Sequence, residues 1–417
     1  MELNSPSASA AKPASQPRLL CFVNGIFASG IGGGDVYFSY MATAALASGY
    51  PIHFFGGHAL KNYLAKQNLP LNLTLTDDSL GQLGDVTTFS GQLRLLWDFG
   101  RRLRGSLSQL NEVRSDDIAY AMSDYLFDTI PLIRCRARAK VLYLGMIAPS
   151  FKQIVFKSRG DVTSTRLASI YYWFNQQLSL RWFRRIRGGM VTYSHPEMRD
   201  YLLNLGYNAA QLFYVPNGSD VAAADRVPAQ PKQFDLAWVG RVHPQKGIDD
   251  LLATLDWLKK IMPDFRAVIV GKSQEKLEPL IRVRGLAKNV IFSGLVSEEE
   301  KFRLLKSSRV FAMPSHYESW GIVVGEALAA DLPVVAYRLD CYPLVFGDFV
   351  RYVAPFDLEA FQRTVEDEIR KQRAGKNYLA TMDGEKLKGE LSWTTAQEKF
   401  VTVLSRSDKT LQAMTKL

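Results

Sequence analysis

The sequence has few cysteines and no long apolar run. Cys21, Cys135 and Cys341 are the three cysteines among 417 residues, and their wide spacing is not that of a metal site or redox pair. Such a sparse, odd set is typical of a reducing compartment. No stretch reaches the roughly 18 apolar residues of a membrane-spanning helix. Residues 1–17, rich in Ser, Ala and Pro, are predicted to be a disordered tail rather than a signal peptide. We therefore expect a cytoplasmic protein, either soluble or peripheral on the inner face of the plasma membrane.

The charge of the chain is uneven. It carries 51 Lys and Arg against 41 Asp and Glu, a net charge of +10, and most of the excess lies before residue 217. We expect an anionic macromolecular partner to meet this basic first half. Nucleic acid is not expected as a partner, because no recognition motif accompanies the charge.

Strand-like and helical segments alternate along the chain. The first apolar run, 18–25, is followed by glycines and by a helical pattern over 36–48, the opening strand, loop and helix of a doubly wound α/β domain. Further strand-like runs lie at 51–55, 117–122, 139–145, 189–194, 213–218, 234–240, 265–271, 290–294, 309–314 and 332–337. The Ala- and Pro-rich stretch 221–233 is predicted to be a linker. Two α/β halves place a ligand cleft between the carboxyl ends of their sheets.

Two cations stand at the start of a predicted helix in the second half. The segment Gly240-Arg-Val-His-Pro-Gln-Lys246 follows a strand-like run, and a helix is expected to begin after its proline. Free N–H groups at a helix start favour an anion, and arginine offers a bidentate fork for phosphate oxygens. Arg241 and Lys246 are therefore candidates to bind a diphosphate. The alternative is two surface cations on a loop.

Two glutamates, Glu318 and Glu326, flank the start of another predicted helix. A carboxylate accepts two hydrogen bonds from a diol, so one can reach a hexose while the other meets a ribose. Gly321 leaves room for the backbone, and the amides of Ile322 and Val323 are expected to point toward an anion. The alternative is two solvated glutamates, since acidic residues are favoured at helix starts anyway.

A glycine loop follows the first strand-like run. Gly30 and residues 32–34 are glycines, and Gly33 and Gly34 would let the backbone approach a phosphate or sugar closely. A tight turn explains the same residues equally well.

The second half resembles the family 4 glycosyltransferases, which are retaining enzymes of GT-B architecture. The motifs that carry this resemblance are Val215-Pro-Asn-Gly-Ser-Asp220, Val239-Gly-Arg-Val-His-Pro-Gln-Lys-Gly247, Val270-Gly-Lys272, Phe292-Ser-Gly294 and Pro314-Ser-His-Tyr-Glu-Ser-Trp-Gly-Ile-Val-Val-Gly-Glu-Ala-Leu-Ala329. More loosely it extends over nearly the whole chain, with Trp393 at the family's closing tryptophan.

The resemblance implies an α/β fold with two Rossmann-like doubly wound domains that face each other across a cleft. After the tail, it implies an N-terminal acceptor domain over 18–216 and a nucleotide-sugar donor domain over 217–394. A helix over 395–417 would return to the first domain.

The resemblance also implies an activity. A hexose of the mannose or glucose type would pass from a nucleotide diphosphate sugar to a glycan or lipid-linked saccharide, in bacterial cell-surface polysaccharide or glycolipid synthesis. Arg241 and Lys246 would bind the diphosphate, Glu318 the transferred sugar and Glu326 the ribose. Arg241, Lys246 and Glu318 are thus the predicted catalytic residues. The predicted donor-binding residues are Gly33, Gly34, Gly240, Arg241, Lys246, Gly271, Gly294, Glu318, Ser319, Trp320, Gly321, Ile322, Val323 and Glu326.

The implied mechanism is a same-face displacement in which the leaving phosphate helps to deprotonate the acceptor hydroxyl. Its transition state resembles an oxocarbenium ion, and stabilising the departing phosphate is the main catalytic task. No metal and no cofactor are expected. The acidic pairs of the chain lack the surroundings of a metal site and are interpreted as turns and caps.

One departure from the family pattern concerns a histidine. Many relatives carry one after the strand that here reads Val141-Leu-Tyr-Leu144, but this chain has Gly145 and Met146 there. The hydrogen bond that the histidine would give to the sugar is missing. This leaves open a different donor sugar, a substitute group or impaired activity.

Two basic segments in the first half combine arginines with apolar and aromatic residues. Residues 93–112 include Arg94, Arg101, Arg102 and Arg104 at helical spacing with leucines, and residues 167–187 alternate aromatic residues with arginines. Such helices can rest on an anionic membrane. The alternative is a pair of domain helices whose apolar sides are core and whose arginines face water.

Three other functions share features with sugar transfer. A nucleotide-sugar epimerase shares the two-domain plan, and a dehydrogenase shares the glycine loop but needs a fuller glycine fingerprint. The main alternative is a catalytically silent subunit that binds a nucleotide sugar, a hypothesis motivated by the missing histidine. Turnover distinguishes the two.

Overall fold

The computed structural model describes residues 16–25, 32–76, 89–148, 163–272 and 274–415. Nearly all of the predicted tail and Gly30 lie outside these ranges. The described residues form two parallel sheets, each covered by helices on both faces.

The first sheet has seven parallel strands in the order β3-β2-β1-β4-β5-β6-β7. These strands are β1 (Leu19–Phe22), β2 (Ile52–Gly56), β3 (Leu73–Leu75), β4 (Ile118–Ala121), β5 (Ala139–Leu144), β6 (Met190–Tyr193) and β7 (Leu212–Tyr214). β1, β4, β5 and β6 are buried along their whole length, as expected of strands covered on both faces.

The second sheet has six parallel strands in the order β10-β9-β8-β11-β12-β13. They are β8 (Phe234–Val239), β9 (Ala267–Val270), β10 (Val290–Gly294), β11 (Ser308–Met313), β12 (Val334–Tyr337) and β13 (Val350–Val353). If these six strands are numbered 1 to 6 in chain order, this is the 3-2-1-4-5-6 order of a Rossmann-type domain. In both sheets the strand order reverses beside the first strand, between β1 and β4 and between β8 and β11.

Helices connect the strands and cover both sheets. The α-helices are Gly33–Ala47, His58–Lys66, Phe89–Ser108, Leu126–Arg134, Thr163–Phe183, Glu197–Asn204, Val221–Arg226, Ile248–Ile261, Gln274–Val283, Glu298–Lys306, Ile322–Ala329, Cys341–Phe346, Leu358–Arg373, Gly384–Leu391 and Trp393–Thr415. Short 3-10 turns lie at Leu110–Glu112, Ala209–Gln211, Pro244–Lys246, Gly347–Phe349 and Tyr378–Thr381. No helix in these ranges is both long and apolar enough to cross a bilayer.

The predicted linker over 221–233 is wrong for its first half. Val221–Arg226 is a helix that Asp220 caps by accepting a hydrogen bond from the Ala223 N–H at 2.9 Å. Val221, Ala223 and Ala224 are buried in the core of the second sheet. Alanine is the best helix former, and the composition that suggested a linker here forms a packed helix.

The last helix, Trp393–Thr415, packs against the first sheet although it follows the second in the chain. Its buried side chains, which include Phe400 and Leu404, share a core with residues of β1, β4 and β5. Trp393 stacks on Tyr40 with ring centroids 4.3 Å apart, and the Tyr40 hydroxyl donates to Asp220 at 3.3 Å. The two halves are thus joined beside the cleft.

Candidate functional site

A cleft of about 1010 Å³ lies between the two sheets, and its walls come from both halves. One wall includes residues that follow β1, β4 and β5, and the other includes residues that follow β8 and β11. Each wall therefore contains the point where its strand order reverses, which is where doubly wound sheets bind ligands. The volume is that of a pocket for a small organic ligand.

The loop after β8 places two cations at the cleft. Arg241 is exposed at its rim and Lys246 is half-buried, and both line the cleft together with Gly240. The ring of His243 accepts a hydrogen bond from the Gln245 N–H at 3.2 Å and caps the 3-10 turn that ends at Lys246. Burial lowers the pKa of His243, and the neighbouring cations Arg241 and Lys246 lower it further, which suits a neutral ring that accepts this bond.

The loop after β11 brings Glu318 to Lys246. The Lys246 ammonium lies 2.5 Å from Glu318 Oε1, and the Ser315 hydroxyl donates to the same oxygen at 2.9 Å. Both charged side chains are largely buried, with 16% of the lysine and 9% of the glutamate exposed. The cation predicted for phosphate and the carboxylate predicted for sugar are therefore one hydrogen-bonded pair.

The start of the helix Ile322–Ala329 faces the same space. Its N-cap, Gly321, has a φ of 93°, and a Cβ there would stand 2.6 Å from the Tyr342 ring, so this position requires glycine. Ser319, Trp320, Gly321, Ile322 and Val323 all line the cleft. The first N–H groups of a helix have no partner within it. Here the Val324 N–H bonds the Gly321 carbonyl at 2.9 Å, and the N–H groups of Ile322 and Val323 are the ones that can serve an anion.

Glu326 is buried one helical turn deeper and is held by a lysine that the sequence reading did not identify. Lys301 donates to Glu326 Oε1 at 2.8 Å and to Glu298 Oε2 at 2.6 Å. Burial raises the pKa of Glu326, whereas Lys301 acts to lower it. Burial alone would lower the pKa of Lys301, but Glu326 and Glu298 together raise it. Lys301 also lines the cleft.

The predicted glycines fall into two groups. Gly33 and Gly34 open the first helix of the chain and line the cleft, where a Cβ on Gly33 would lie 3.4 Å from Ile322 of the opposite wall. Gly271 and Gly294 are not part of the described cleft lining. They follow or end neighbouring strands, joined by a Gly271 N–H bond to the Gly294 carbonyl at 2.9 Å.

The structure thus brings twelve of the fourteen predicted donor-binding residues to one cleft, and their binding roles stay predictions. The wall after β4 adds polar residues that the sequence reading missed. Asp124 and Asp128 line the cleft and are buried, and burial raises the pKa of Asp124 to about 6 and that of Asp128 to about 7. Their position just after a central strand was the available signal, because ligand groups gather at carboxyl strand ends.

The histidines of the second half are engaged within the fold. His316 bonds Asp250 Oδ2 at 2.9 Å, and the Tyr337 hydroxyl donates to the same oxygen at 2.8 Å. In the first half, His195 is buried and its Nε2 lies 3.2 Å from the Cys341 carbonyl of the second half. Gly145 and Met146, at the place of the family histidine, do line the cleft.

The two basic helices of the first half combine core and surface roles. Arg102, predicted on the basic face, is instead buried, with its guanidinium bonded to the Asn24 carbonyl. Trp97 is 70% exposed and Phe174 on the second helix is 56% exposed. Phe99 and Tyr171 stack between the helices at 6.2 Å. Other exposed residues of this surface are Leu93, Arg94, Leu96, Arg101, Arg104, Arg181, Trp182 and Arg185.

Within the described ranges, no group of three or more His, Cys, Asp or Glu residues is arranged to hold a metal ion. The expectation of a metal-free reaction remains a prediction.

Two facing Rossmann-like domains with this cleft between them define a GT-B fold, which confirms the predicted fold class. The crystal structure of HepE from Anabaena in complex with UDP superimposes with a TM-score of 0.67 at 17% identity, covering 93% of this chain and 100% of that one. At this identity the similarity shows the fold alone. Residues 222–379 match the family Glycosyl transferases group 1. This match confirms the resemblance that the motifs of the second half carry.

Curated relatives match over the same part of the chain. The phosphatidyl-myo-inositol mannosyltransferase of Mycolicibacterium smegmatis is 34% identical over 167 residues, which cover 38% of this chain and 42% of the relative. The D-inositol 3-phosphate glycosyltransferase of Segniliparus rotundus is 31% identical over 139 residues, covering 32% of this chain and 31% of the relative. The chain thus spans less than half the length of each.

Proposed function

We propose that the protein is a retaining hexosyltransferase that uses a nucleotide diphosphate sugar. The observation that carries the proposal is the Lys246–Glu318 pair at the point where the strand order of the second sheet reverses. Phosphate and sugar hydroxyls need a cation and a carboxylate side by side, and the pair supplies both. The start of the helix Ile322–Ala329 adds the N–H groups of Ile322 and Val323 for the diphosphate.

The resemblance to the family implies the chemistry, and the residues of the cleft are assigned to its steps. The bond between the anomeric carbon and the phosphate oxygen breaks, and the pair of electrons leaves with the diphosphate. Lys246 and Arg241 stabilise the charge that develops there, which lowers the barrier because both are in place before the reaction. The acceptor oxygen then bonds the anomeric carbon on the same face, and its proton passes to the leaving phosphate. Glu318 holds the sugar, and Glu326, fixed by Lys301, takes the ribose.

The similar proteins support the same class of donor. HepE of Anabaena has been crystallised with UDP and with UDP-glucose, and the curated relatives are named as mannosyl- and glycosyltransferases that act on inositol lipids or inositol phosphate. These names favour a hexose donor and a membrane lipid or glycan acceptor. They are compatible with a role in cell-surface glycolipid or polysaccharide synthesis.

The test is a donor panel of UDP-, GDP-, ADP- and dTDP-sugars, scored by thermal shift and by nucleotide release, each measured with and without EDTA. We expect one donor to stabilise the protein and to be turned over. Glu318→Ala and Lys246→Ala should each lower turnover about tenfold or more, since each removes a charged hydrogen-bonding group. Lys288→Ala, which removes an exposed lysine outside the cleft lining, is the matched control.

Three results would count against parts of the proposal. Binding without release, in the presence of lipid and glycan acceptors, would favour the silent binding subunit. Release that stops with EDTA would overturn the metal-free reaction. No binding by any nucleotide sugar would overturn the donor class itself.

A membrane-bound acceptor is the second part of the proposal. The exposed surface of the two basic helices combines Trp97 and Phe174 with arginines such as Arg94 and Arg181, which is how a peripheral protein rests on an anionic bilayer. We expect flotation with vesicles that contain phosphatidylglycerol but not with pure phosphatidylcholine. Trp97→Ala should reduce it, whereas Val283→Ala, which removes an exposed apolar side chain from the other half, should not. Equal flotation of both variants would contradict the assignment of this surface.

A further inference from the structure

Asp124 occupies, in the first sheet, the place that Glu318 occupies in the second. It follows β4, the strand at which the order of the first sheet reverses, just as Glu318 follows β11. Both carboxylates line the cleft, and only 4% of Asp124 is exposed. The places where the strand order of each sheet reverses lie on the two walls of the cleft. A ligand bound to one wall is therefore close to the other wall.

Asp124 is held firmly and still has an oxygen with room for another donor. Gln176 donates to its Oδ2 at 2.6 Å and to the Met146 carbonyl at 2.8 Å, which ties the carboxylate to the next strand end. The Tyr172 hydroxyl lies 3.3 Å from both carboxylate oxygens. That is long for an O–H···O bond, so Oδ1 keeps capacity for a shorter one.

The neighbouring Asp128 differs because its oxygens serve the fold. Its Oδ1 accepts from the Asn24 N–H at 2.8 Å and from the Asn24 amide at 3.1 Å, and its Oδ2 accepts from the Ser123 hydroxyl at 2.6 Å. Asp128 therefore anchors the loop that follows β1. Of these two carboxylates, Asp124 is the one suited to a ligand.

Two observations describe the surroundings of Asp124. Tyr172, its hydrogen-bond partner, lies within electrostatic reach of Tyr317, the residue before Glu318 on the opposite wall. Gly145, at the adjacent strand end, brings no side chain, and a Cβ there would lie 3.0 Å from the Tyr143 ring. Asp124 and Glu318 therefore line opposite walls of one cleft, and a sugar bound beside Glu318 would lie between those walls.

We propose that Asp124 accepts a hydrogen bond from a hydroxyl of the transferred hexose, opposite Glu318. The inference rests on the proposed function, since it assumes a nucleotide sugar in the cleft. In this arrangement, a charged group of the first domain contacts the sugar of the donor, and the second domain binds the nucleotide. Burial raises the pKa of Asp124 to about 6, so the carboxylate is ionised and able to accept at neutral pH.

The experiment compares a nucleotide sugar with its own nucleoside diphosphate by calorimetry. The probes are the donor that binds best in the panel above and the diphosphate from which it derives. We expect Asp124→Asn to lower the affinity for the sugar nucleotide about tenfold, which is the effect of losing a hydrogen bond to a charged group. The affinity for the diphosphate should change by no more than about twofold. Asp128→Asn, the matched control, should leave the ratio of the two affinities unchanged.

Two further measurements keep the test open if Asp124→Asn fails to fold. Tyr172→Phe removes the hydroxyl that orients Asp124 and should lower the same ratio by a smaller factor. In the wild-type protein, the affinity for the sugar nucleotide, whose diphosphate has no group that takes up a proton in this range, should fall as the pH drops below about 6, when Asp124 takes up a proton. Asp128→Asn, which removes the neighbouring group that titrates at about 7, should keep this fall.

The outcomes separate this inference from the proposed function. If the wild type binds neither probe, the proposed function fails and the inference falls with it. If both probes bind and Asp124→Asn weakens neither, or weakens both equally, Asp124 does not contact the sugar and the inference is overturned. A selective loss for the sugar nucleotide supports it.

Discussion

Single residues decide how closely the two loops of the donor wall approach each other. Gly247 follows Lys246 with a φ of 65°, and a Cβ there would stand 1.8 Å from the Pro314 carbonyl oxygen. The loop that carries Arg241 and Lys246 therefore rests directly on the backbone that leads to Glu318. The short distance between Lys246 and Glu318 depends on this backbone contact.

Gly247→Ala should damage both stability and binding. The left-handed backbone alone costs about 1–2 kcal/mol for a residue with a Cβ, and the clash with Pro314 adds strain, so we expect a loss of roughly 3 kcal/mol or more in the free energy of unfolding. Nucleotide-sugar binding should fall with it, because the pair separates. Chemical denaturation and calorimetry measure the two effects.

Gly375→Ala is the matched control for this substitution. Gly375 has a similar φ of 74°, but a Cβ there would meet no atom within 4 Å, so it bears the backbone cost without the clash. Equal losses for both variants would show that the contact with Pro314 does not position the loop.

At this scale, sequence reasoning located the motif residues but not their partners. Arg241, Lys246, Glu318 and Glu326 reach one cleft because they follow adjacent strands, which the alternation of strands and helices predicts. Lys301 was missed because it lies on a helix with no motif, and it meets Glu326 through packing. Helical spacing also placed Arg102 on a basic face, whereas its guanidinium bonds a buried carbonyl of a distant loop.

Between elements, one buried ion pair joins two helices under the cleft. Lys301 lies on the helix Glu298–Lys306 and Glu326 on the helix Ile322–Ala329, and their side chains are 11% and 9% exposed. Both charges have lost most of their hydration, so each depends on the other. The pair fixes the second helix, whose start faces the cleft.

Lys301→Met should therefore be strongly destabilising. Removing one partner of a buried pair leaves the other charge uncompensated, which costs about 3–5 kcal/mol. The penalty should grow as the pH rises above the ordinary glutamate pKa of 4.5. Burial raises the pKa of Glu326, so the folded state holds a proton that the unfolded state releases, and stability falls with rising pH. Urea denaturation at pH 5 and pH 7.5 measures this.

The same helix offers a control. Arg303 pairs with Glu299 and Glu300 while about half exposed, and Arg303→Met should cost about 1 kcal/mol or less at either pH. A Lys301→Met penalty no larger than this, or one independent of pH, would contradict the account of the buried pair.

The strands were predicted well where they form a continuous apolar run and poorly where they do not. The runs at 234–240 and 290–294 match the central strand β8 and the edge strand β10 closely. β3 (Leu73–Leu75) and β13 (Val350–Val353) were not predicted, because these short edge strands interrupt their apolar residues with a polar one and so lack a continuous apolar run. The helix Val221–Arg226 was predicted to be a linker because its segment is rich in Ala. Local composition does not show that these residues pack into the core of the second sheet.

For the whole molecule, the chain crosses twice between its halves, and this couples their stabilities. It leaves the first half before residue 221 and returns at Trp393. There Gly218 packs against the Trp393 ring, and the Ser219 backbone N–H donates to the Leu391 carbonyl at 2.7 Å. The two crossing segments therefore touch each other. The alternation of elements predicts two halves, but only the family resemblance, not periodicity, indicated that the last helix returns.

Phe400→Ala tests whether the last helix belongs energetically to the first half. Phe400 is 1% exposed and its ring lies 5.4 Å from that of Tyr120 on β4. Truncating a buried phenylalanine costs about 3–5 kcal/mol, and we expect hydrogen exchange to accelerate in β4 and β5 more than in β8 and β11. Glu398→Ala, on the exposed side of the same helix, should change neither. Since the two cleft walls belong to different halves, loosening the first should also weaken any ligand that needs both. Faster exchange confined to the second sheet would instead mean that the last helix stabilises the half that precedes it in the chain.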